Sequence, residues 1–313
     1  MPSDKRLEVT ITHNFADSDH PSEQDLELTR RLFQNGMIGF RWYKEKGPPP
    51  KELIKAQGKA ARQALWARYK RSSNSWQTEY LFDLVEHGGA VMGTYKGAAD
   101  PKTHRLVGLV QQGQGFKIER PTGPSDLHDL LCLKLHRAAI YDSSQSFLGN
   151  LVPRGCTIQS CHKRALGRLY ALAAAEQIER DVRGLHHHDL EWLVTNYLLK
   201  RCGCSVVFGG SPSYEAVDHV GFDEHGNLVL AQTTLSNSFA AEKIGALAKY
   251  ESARRLYFGP AETLTTPQKG VELIAIEKAF SWADDDGNPA GRAMISAMLG
   301  AGVTPVKVLD SPE

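Results

Sequence analysis

HDLEWLVTNYLLKRCGCSVVFGGSPSYEAVDHVGFDEHGNLVLAQTTLSNSFAAEKIGALAKY, residues 188–250, decides the reading of this chain. DLEWLVTNYLLKRCG places its apolar residues at helical spacing, SVVFGG and YEAVDHVGF read as strands, NLVLAQTT as a third, and FAAEKIGALAKYE as a helix. The turn DEHG joins two of the strands, with Gly226 permitting positive φ at the tight connection. Glu191 rides the first helix, Asp218 sits in the first strand of the hairpin, and Gln232 and Thr234 sit in the second. Residues two apart on a strand share a face, so Gln232 and Thr234 project with Leu228 and Leu230, and Asp218 with Val220 and Phe222. A polar side chain on an apolar strand face needs a partner or a function.

That order of elements resembles the core of the restriction-endonuclease-like nucleases, the PD-(D/E)xK superfamily, and within it the Mrr-like branch. The family pattern is a helix carrying Glu, a strand carrying Asp, a strand ending in (Glu/Gln)-x-Lys, and a helix. The likeness covers residues of about 185–280. It implies an α/β fold whose C-terminal part is a restriction-endonuclease-like mixed sheet flanked by helices. It also implies Glu191, Asp218, Gln232 and Lys243 as catalytic residues, with Mg²⁺ or Mn²⁺ held by Asp218, Gln232 and the backbone of Thr233. Thr234 stands where the motif has lysine, and Lys243 on the following helix is the candidate to replace it. The implied activity is hydrolysis of phosphodiester bonds in DNA, in restriction or antiphage defence. The ion would polarise the phosphate while the ammonium stabilises transition-state charge. With Thr234 in the lysine position, the alternative is a domain that no longer cuts and serves as a DNA-binding or partner-docking module. A structural interaction protein with no nucleic-acid contact is the third reading.

The 313 residues exceed one typical core, which predicts two domains. Residues 1–160 are expected to form an α+β or small-barrel domain that reads nucleic acid, 161–184 a linking helix, and 185–313 the nuclease-like domain. GAVMGTYKG and HRLVGLVQQG give the first domain a faint resemblance to the small barrels of PUA/EVE-type readers. The net charge of +1 supplies no global field for nucleic acid or membranes. No run approaches the length of a membrane span, and MPSDKRLEVT lacks the apolar core of a signal peptide, which with five cysteines predicts a cytoplasmic protein with reduced thiols. Neither a GxxxxGK[ST] phosphate loop nor a dinucleotide fingerprint occurs, so NTP-driven work would come from a protein partner. Nucleases acting on duplex DNA often dimerise, which leaves a homo-oligomer open.

Ser22 with Asp25 offers a capping box for LELTRRLFQNG, and Gly36 its closing residue. Between 41 and 71 ten Lys and Arg oppose two Glu, an excess of eight. Lys55, Lys59, Arg62, Arg68 and Lys70 are the candidate phosphate contacts, weighed against an ordinary solvated helix face. Trp42, Tyr43, Trp66 and Tyr69 interleave with them, to stack on bases or to pack in a core. From 80 to 160 the sequence reads as short β-like pieces, EYLFDLVEH among them. His186, His187 and His188 are adjacent, so their side chains diverge, and His188 or Asp189 is expected to cap the helix that follows. Cys156, Cys161, His162, Cys202 and Cys204 offer the ligand types of a zinc site, but the single residue between Cys202 and Cys204 falls outside the usual C-x2-4-C pairing.

Overall fold

The structure, a computed structural model, describes residues 7–13, 22–40, 50–56, 58–69, 75–98, 100–120, 130–150, 158–161, 167–209, 217–264 and 270–309. The chain divides into two units, 1–178 with 302–313, and 179–301. The expected borders at 160 and 185 therefore shift, and the last residues rejoin the first unit instead of completing the second.

In the first unit, β1 (Glu8–His13) leads to α1 (Glu23–Gln34) and β2 (Met37–Phe40). The expected box starts α1: Ser22 Oγ accepts from the Asp25 amide (3.2 Å) and Asp25 Oδ2 from the Ser22 amide (3.3 Å). Gly36 takes φ +58 just past its end. Helices α2 (Pro50–Lys55), α3 (Gly58–Tyr69) and α4 (Ser75–His87) follow. EYLFDLVEH belongs to α4 and not to the expected β-like run, because Leu81, Phe82, Leu84 and Val85 reach the core at helical spacing. Then come β3 (Gly89–Tyr95), β4 (Arg105–Val110), β5 (Lys117–Glu119), β6 (Leu130–Lys134), β7 (His136–Tyr141), α5 (Ser146–Asn150), β8 (Ile158–Ser160) and α6 (Arg168–Ala174). The long helix expected over 161–184 is replaced by α6 alone among the described residues. Ala175 turns left-handed (φ 57) and ends it, and Gly184 lies in a separate 3-10 turn, Val182–Gly184.

The second unit contains α7 (His187–Arg201), β9 (Cys204–Gly209), β10 (His219–Asp223), β11 (Leu228–Thr233), α8 (Ala240–Ala248), β12 (Arg254–Gly259), β13 (Val271–Ala275), α9 (Ile276–Ala283) and α10 (Pro289–Leu299). The short strand β14 (Lys307–Val308) then pairs with β7. Among the described residues the first unit carries a sheet ordered β14-β7-β4-β3-β1-β8 and a smaller one, β2-β6-β5. Both are open, so its strands close no barrel there; the unit is α+β.

The second unit's sheet runs β13-β12-β11-β10-β9. The β9–β10–β11 pairings are antiparallel, while β11–β12 and β12–β13 are parallel, giving a mixed α/β sheet. On one face Ile244 and Leu247 of α8 pack against Val220, Leu230, Tyr257 and Val271. Each such aliphatic side chain contributes roughly 1.5–3 kcal/mol by leaving water. On the other face Tyr197 of α7 meets Phe258 edge-on at 5.9 Å and Trp282 of α9 at 5.4 Å. No helix among the described residues is long and apolar enough to cross a membrane.

Candidate functional site

Hairpin register brings the two central candidates together. His219 faces Ala231 and Val220 faces Leu230, so Asp218, one step before β10, stands across from Gln232. Its amide still joins the ladder, donating to Ala231 O at 3.0 Å. Directly opposed residues share a face, and for this pair it is the face covered by α8. Asp218 Oδ2 accepts from Gln232 Nε2 (2.6 Å) and from the Thr233 amide (2.8 Å). Gln232 Nε2 also donates to Thr233 O at 3.1 Å. An amide hydrogen-bond donor thus occupies the point where a carboxylate oxygen and a backbone carbonyl converge. Gln232 itself is 1% exposed, and its Oε1 is buried without a hydrogen-bond partner.

Burial raises the Asp218 pKa above the usual carboxylate value; the Thr233 amide and Lys243 oppose the shift, and Glu191 adds to it. Lys243 of α8 and Glu191 of α7 therefore both act on this carboxylate, through space and not by a direct ion pair. Thr234, in the lysine position, lies just past β11. Its amide donates to Phe258 O (3.0 Å) and its hydroxyl accepts from the Ser236 amide (3.0 Å), so its side chain is engaged in a local turn.

The chain matches no family model, no curated protein and no solved structure.

The donor set suits a hard cation by its chemistry: one carboxylate, one carbonyl, and one amide oxygen that would face them if the Gln232 side chain turned over. Among the described residues no three His, Cys, Asp or Glu side chains group as a metal cluster, so any ion here would rely on amide and backbone oxygens.

Sequence reasoning missed the layer behind this group. His219 is 1% exposed and lies on the opposite face from Asp218. Its Nε2 lies 3.4 Å from Thr233 Oγ1 and its Nδ1 lies 3.3 Å from Thr195 Oγ1, tying β11 to α7 one turn beyond Glu191. Burial pushes the His219 pKa down to about 4, so the ring is neutral at physiological pH. A histidine directly after the candidate aspartate, on the alternate face of an apolar strand, was the available signal. The α7 cap also differs from expectation. His186 accepts from the His188 amide (3.4 Å), while Asp189 Oδ2 accepts from the His186 amide (3.2 Å), so Asp189 is the reciprocal partner of the box and not the cap. His188 Nδ1 instead lies 3.3 Å from the Glu191 carboxylate.

The candidate phosphate contacts of the first unit are largely engaged within it. Lys59 is ion-paired with Asp83 of α4, and its amide donates to Glu86 Oε2 at 3.2 Å. Arg62 is 9% exposed and stacks 5.4 Å above the Phe116 ring. Packing α3 on α4 thus matches these cations internally, and Lys55 remains exposed. Lys70, Trp42, Tyr43 and the side chains of Arg68, Trp66 and Tyr69 lie outside the described residues, as do Cys156 and His162. Cys161, Cys202 and Cys204 are buried free thiols whose pKa values burial raises.

Proposed function

We propose that the second unit is a restriction-endonuclease-like domain that hydrolyses phosphodiester bonds in DNA with a divalent cation. The observation that carries this reading is convergence on one carboxylate: Gln232 and Thr233 contact Asp218 directly, and Lys243 and Glu191 both act on it. The succession α7, β10, β11, α8, with β9 inserted after α7, is compatible with the helix–strand–strand–helix pattern of the resemblance.

Asp218, Gln232 and the Thr233 carbonyl would hold Mg²⁺ or Mn²⁺. Such an ion polarises a phosphate and lowers the pKa of a bound water. Lys243 makes no ion pair among the described residues, which leaves its ammonium available to stabilise charge on the phosphoryl oxygens. Glu191 orients water or a second coordination layer. The Thr233 amide keeps the Asp218 carboxylate fixed in place.

The test is cleavage of supercoiled plasmid in Mg²⁺ or Mn²⁺, with wild type beside Asp218→Asn and Lys243→Gln. Loss of one electrostatic donor typically costs about 10²–10³ in rate, and both variants are expected to fall by at least that. Nicking that survives undiminished in Asp218→Asn would mean a contaminant and sink the site.

One observation favours a second reading, a non-cleaving DNA-binding or partner-docking module. Thr234 is engaged in a turn, and the Gln232 amide fills the place of an ion. DNA binding without cleavage in Mg²⁺ or Mn²⁺, with no calorimetric signal for either ion, would select that reading.

A further inference from the structure

The first unit contains a half-buried positive charge that no carboxylate among the described residues neutralises. Arg105 opens β4, opposite Tyr141 of β7 and Thr94 of β3. Opposed residues share a face, and the Tyr141 hydroxyl donates to Leu172 O of α6 at 3.3 Å, so the arginine lies at the rim of the core beneath α6. Its Nε and Nη1 are buried and have no hydrogen-bond partner. Burial lowers its pKa, and no carboxylate among the described residues acts in the opposite sense. Arginine does not escape by giving up its proton, so a buried guanidinium without a partner is costly.

Two more unpartnered polar atoms lie on the turn after β7. Ser143 Oγ and Gln145 Oε1 are buried and make no hydrogen bond. The turn folds back on the segment that leads into β4: the Ser143 amide donates to Lys102 O at 2.5 Å. The one nearby carboxylate on that turn, Asp142, is engaged by the Ser144 amide at 2.8 Å. Lys96 and Lys102 are exposed beside the same strand ends. Lys96 and Arg105 together depress the His104 pKa after burial has done so, a sign of a locally positive field that Asp100 only partly offsets.

We propose that Arg105, Ser143 and Gln145 form a binding site for a phosphate group. The guanidinium presents a fork of donors that fits two phosphate oxygens. The serine hydroxyl supplies a third donor, and the Gln145 amide, turned to present its NH₂, a fourth. A phosphate carries more acceptor oxygens and more negative charge than a carboxylate, so it is the better match for four donors around a guanidinium. The site lies wholly in the first unit and does not depend on the metal site.

The phosphate can be free or terminal on a nucleic acid, and the arms of one titration distinguish these. The full chain is titrated at constant ionic strength with inorganic phosphate, a 5′-phosphorylated oligodeoxynucleotide, the same oligonucleotide without its phosphate, and acetate, following the melting midpoint. Saturable stabilisation by inorganic phosphate or by the 5′-phosphorylated strand is expected, with an apparent Kd raised at least tenfold in Arg105→Met and several-fold in Ser143→Ala. Arg105→Lys keeps the charge without the fork and is expected to bind more weakly than wild type. In phosphate-free buffer Arg105→Met should melt above wild type, since it removes an uncompensated charge; a purely structural arginine would give the reverse. The proposal is overturned by absence of a saturable response in wild type, by equal affinity in Arg105→Met, by acetate matching phosphate, by the unphosphorylated strand stabilising the protein as strongly as the phosphorylated one, or by Arg105→Met melting lower or failing to fold.

Discussion

Burial works against the ionised form of Asp218, and the Thr233 amide and Lys243 work for it. Burial raises its pKa, so its contribution to stability is full below the unfolded value and is lost as pH rises through the folded one. At neutral pH the charge therefore costs stability, as is usual where a site is kept ready for a ligand. Asp218→Asn retains an oxygen to accept from the Thr233 amide and removes the charge. It is expected to raise the melting midpoint at pH 7 while abolishing any stabilisation by Mn²⁺; a lower midpoint would show that the carboxylate stabilises the fold. His219 works in the opposite sense. Its folded pKa of about 4 lies below the ordinary 6.5 of histidine, so the stability it contributes is present above pH 6.5 and is lost as pH falls toward 4. Two and a half pKa units correspond to on the order of 3 kcal/mol. His219→Gln can still bond both threonine hydroxyls but does not titrate. Urea midpoints at pH 7 and 4.5 should show a smaller acid loss in the variant; parallel losses would exclude the histidine as their source.

Strands β9 and β10 lie very close together. A Cβ added at Gly221 would stand 2.9 Å from Val206 O and 3.3 Å from Val207 Cγ2. Gly221→Ala must therefore push β9 away from β10, a close-packing clash that typically costs about 1–3 kcal/mol. Amide exchange across 204–209 should speed up, and unchanged protection there would contradict the close approach. β9 through β11 were legible in the sequence because alternation and the DEHG turn agree: Asp223 Oδ1 accepts from the His225 (2.9 Å) and Asn227 (2.8 Å) amides, and Gly226 takes φ +79. Elsewhere local pattern and tertiary outcome diverged. EYLFDLVEH has too few residues to separate a buried helix from a strand by periodicity, and its position between the core and α3 decided for helix. The alanine-rich run after 168 favours a long helix intrinsically, yet Ala175 leaves the helical region and the chain passes to the next unit.

At the scale of the whole chain, the second unit is contiguous, 179–301, with its own core under α8, whereas the first is closed by residues from both ends of the sequence. Unit 179–301 expressed alone is expected to unfold in a single cooperative transition, followed by circular dichroism, and to retain any Mn²⁺ response. Gradual, non-cooperative melting would mean that its core is incomplete without the rest. Periodicity, turn chemistry and the placement of Glu191, Asp218, Gln232 and Lys243 in the sequence determined which elements would carry polar groups, because strand and helix faces follow from spacing alone. Which of those groups meet was decided only by tertiary structure. Strand register sets Asp218 against Gln232, and α8 covers that face and brings Lys243 into the field of the carboxylate. Helix α3 docks on α4 and neutralises Lys59, while the pairing of β4 with β7 leaves Arg105 without a counter-charge among the described residues. Each of these depends on contacts between residues far apart in the chain, and no local spacing encodes them.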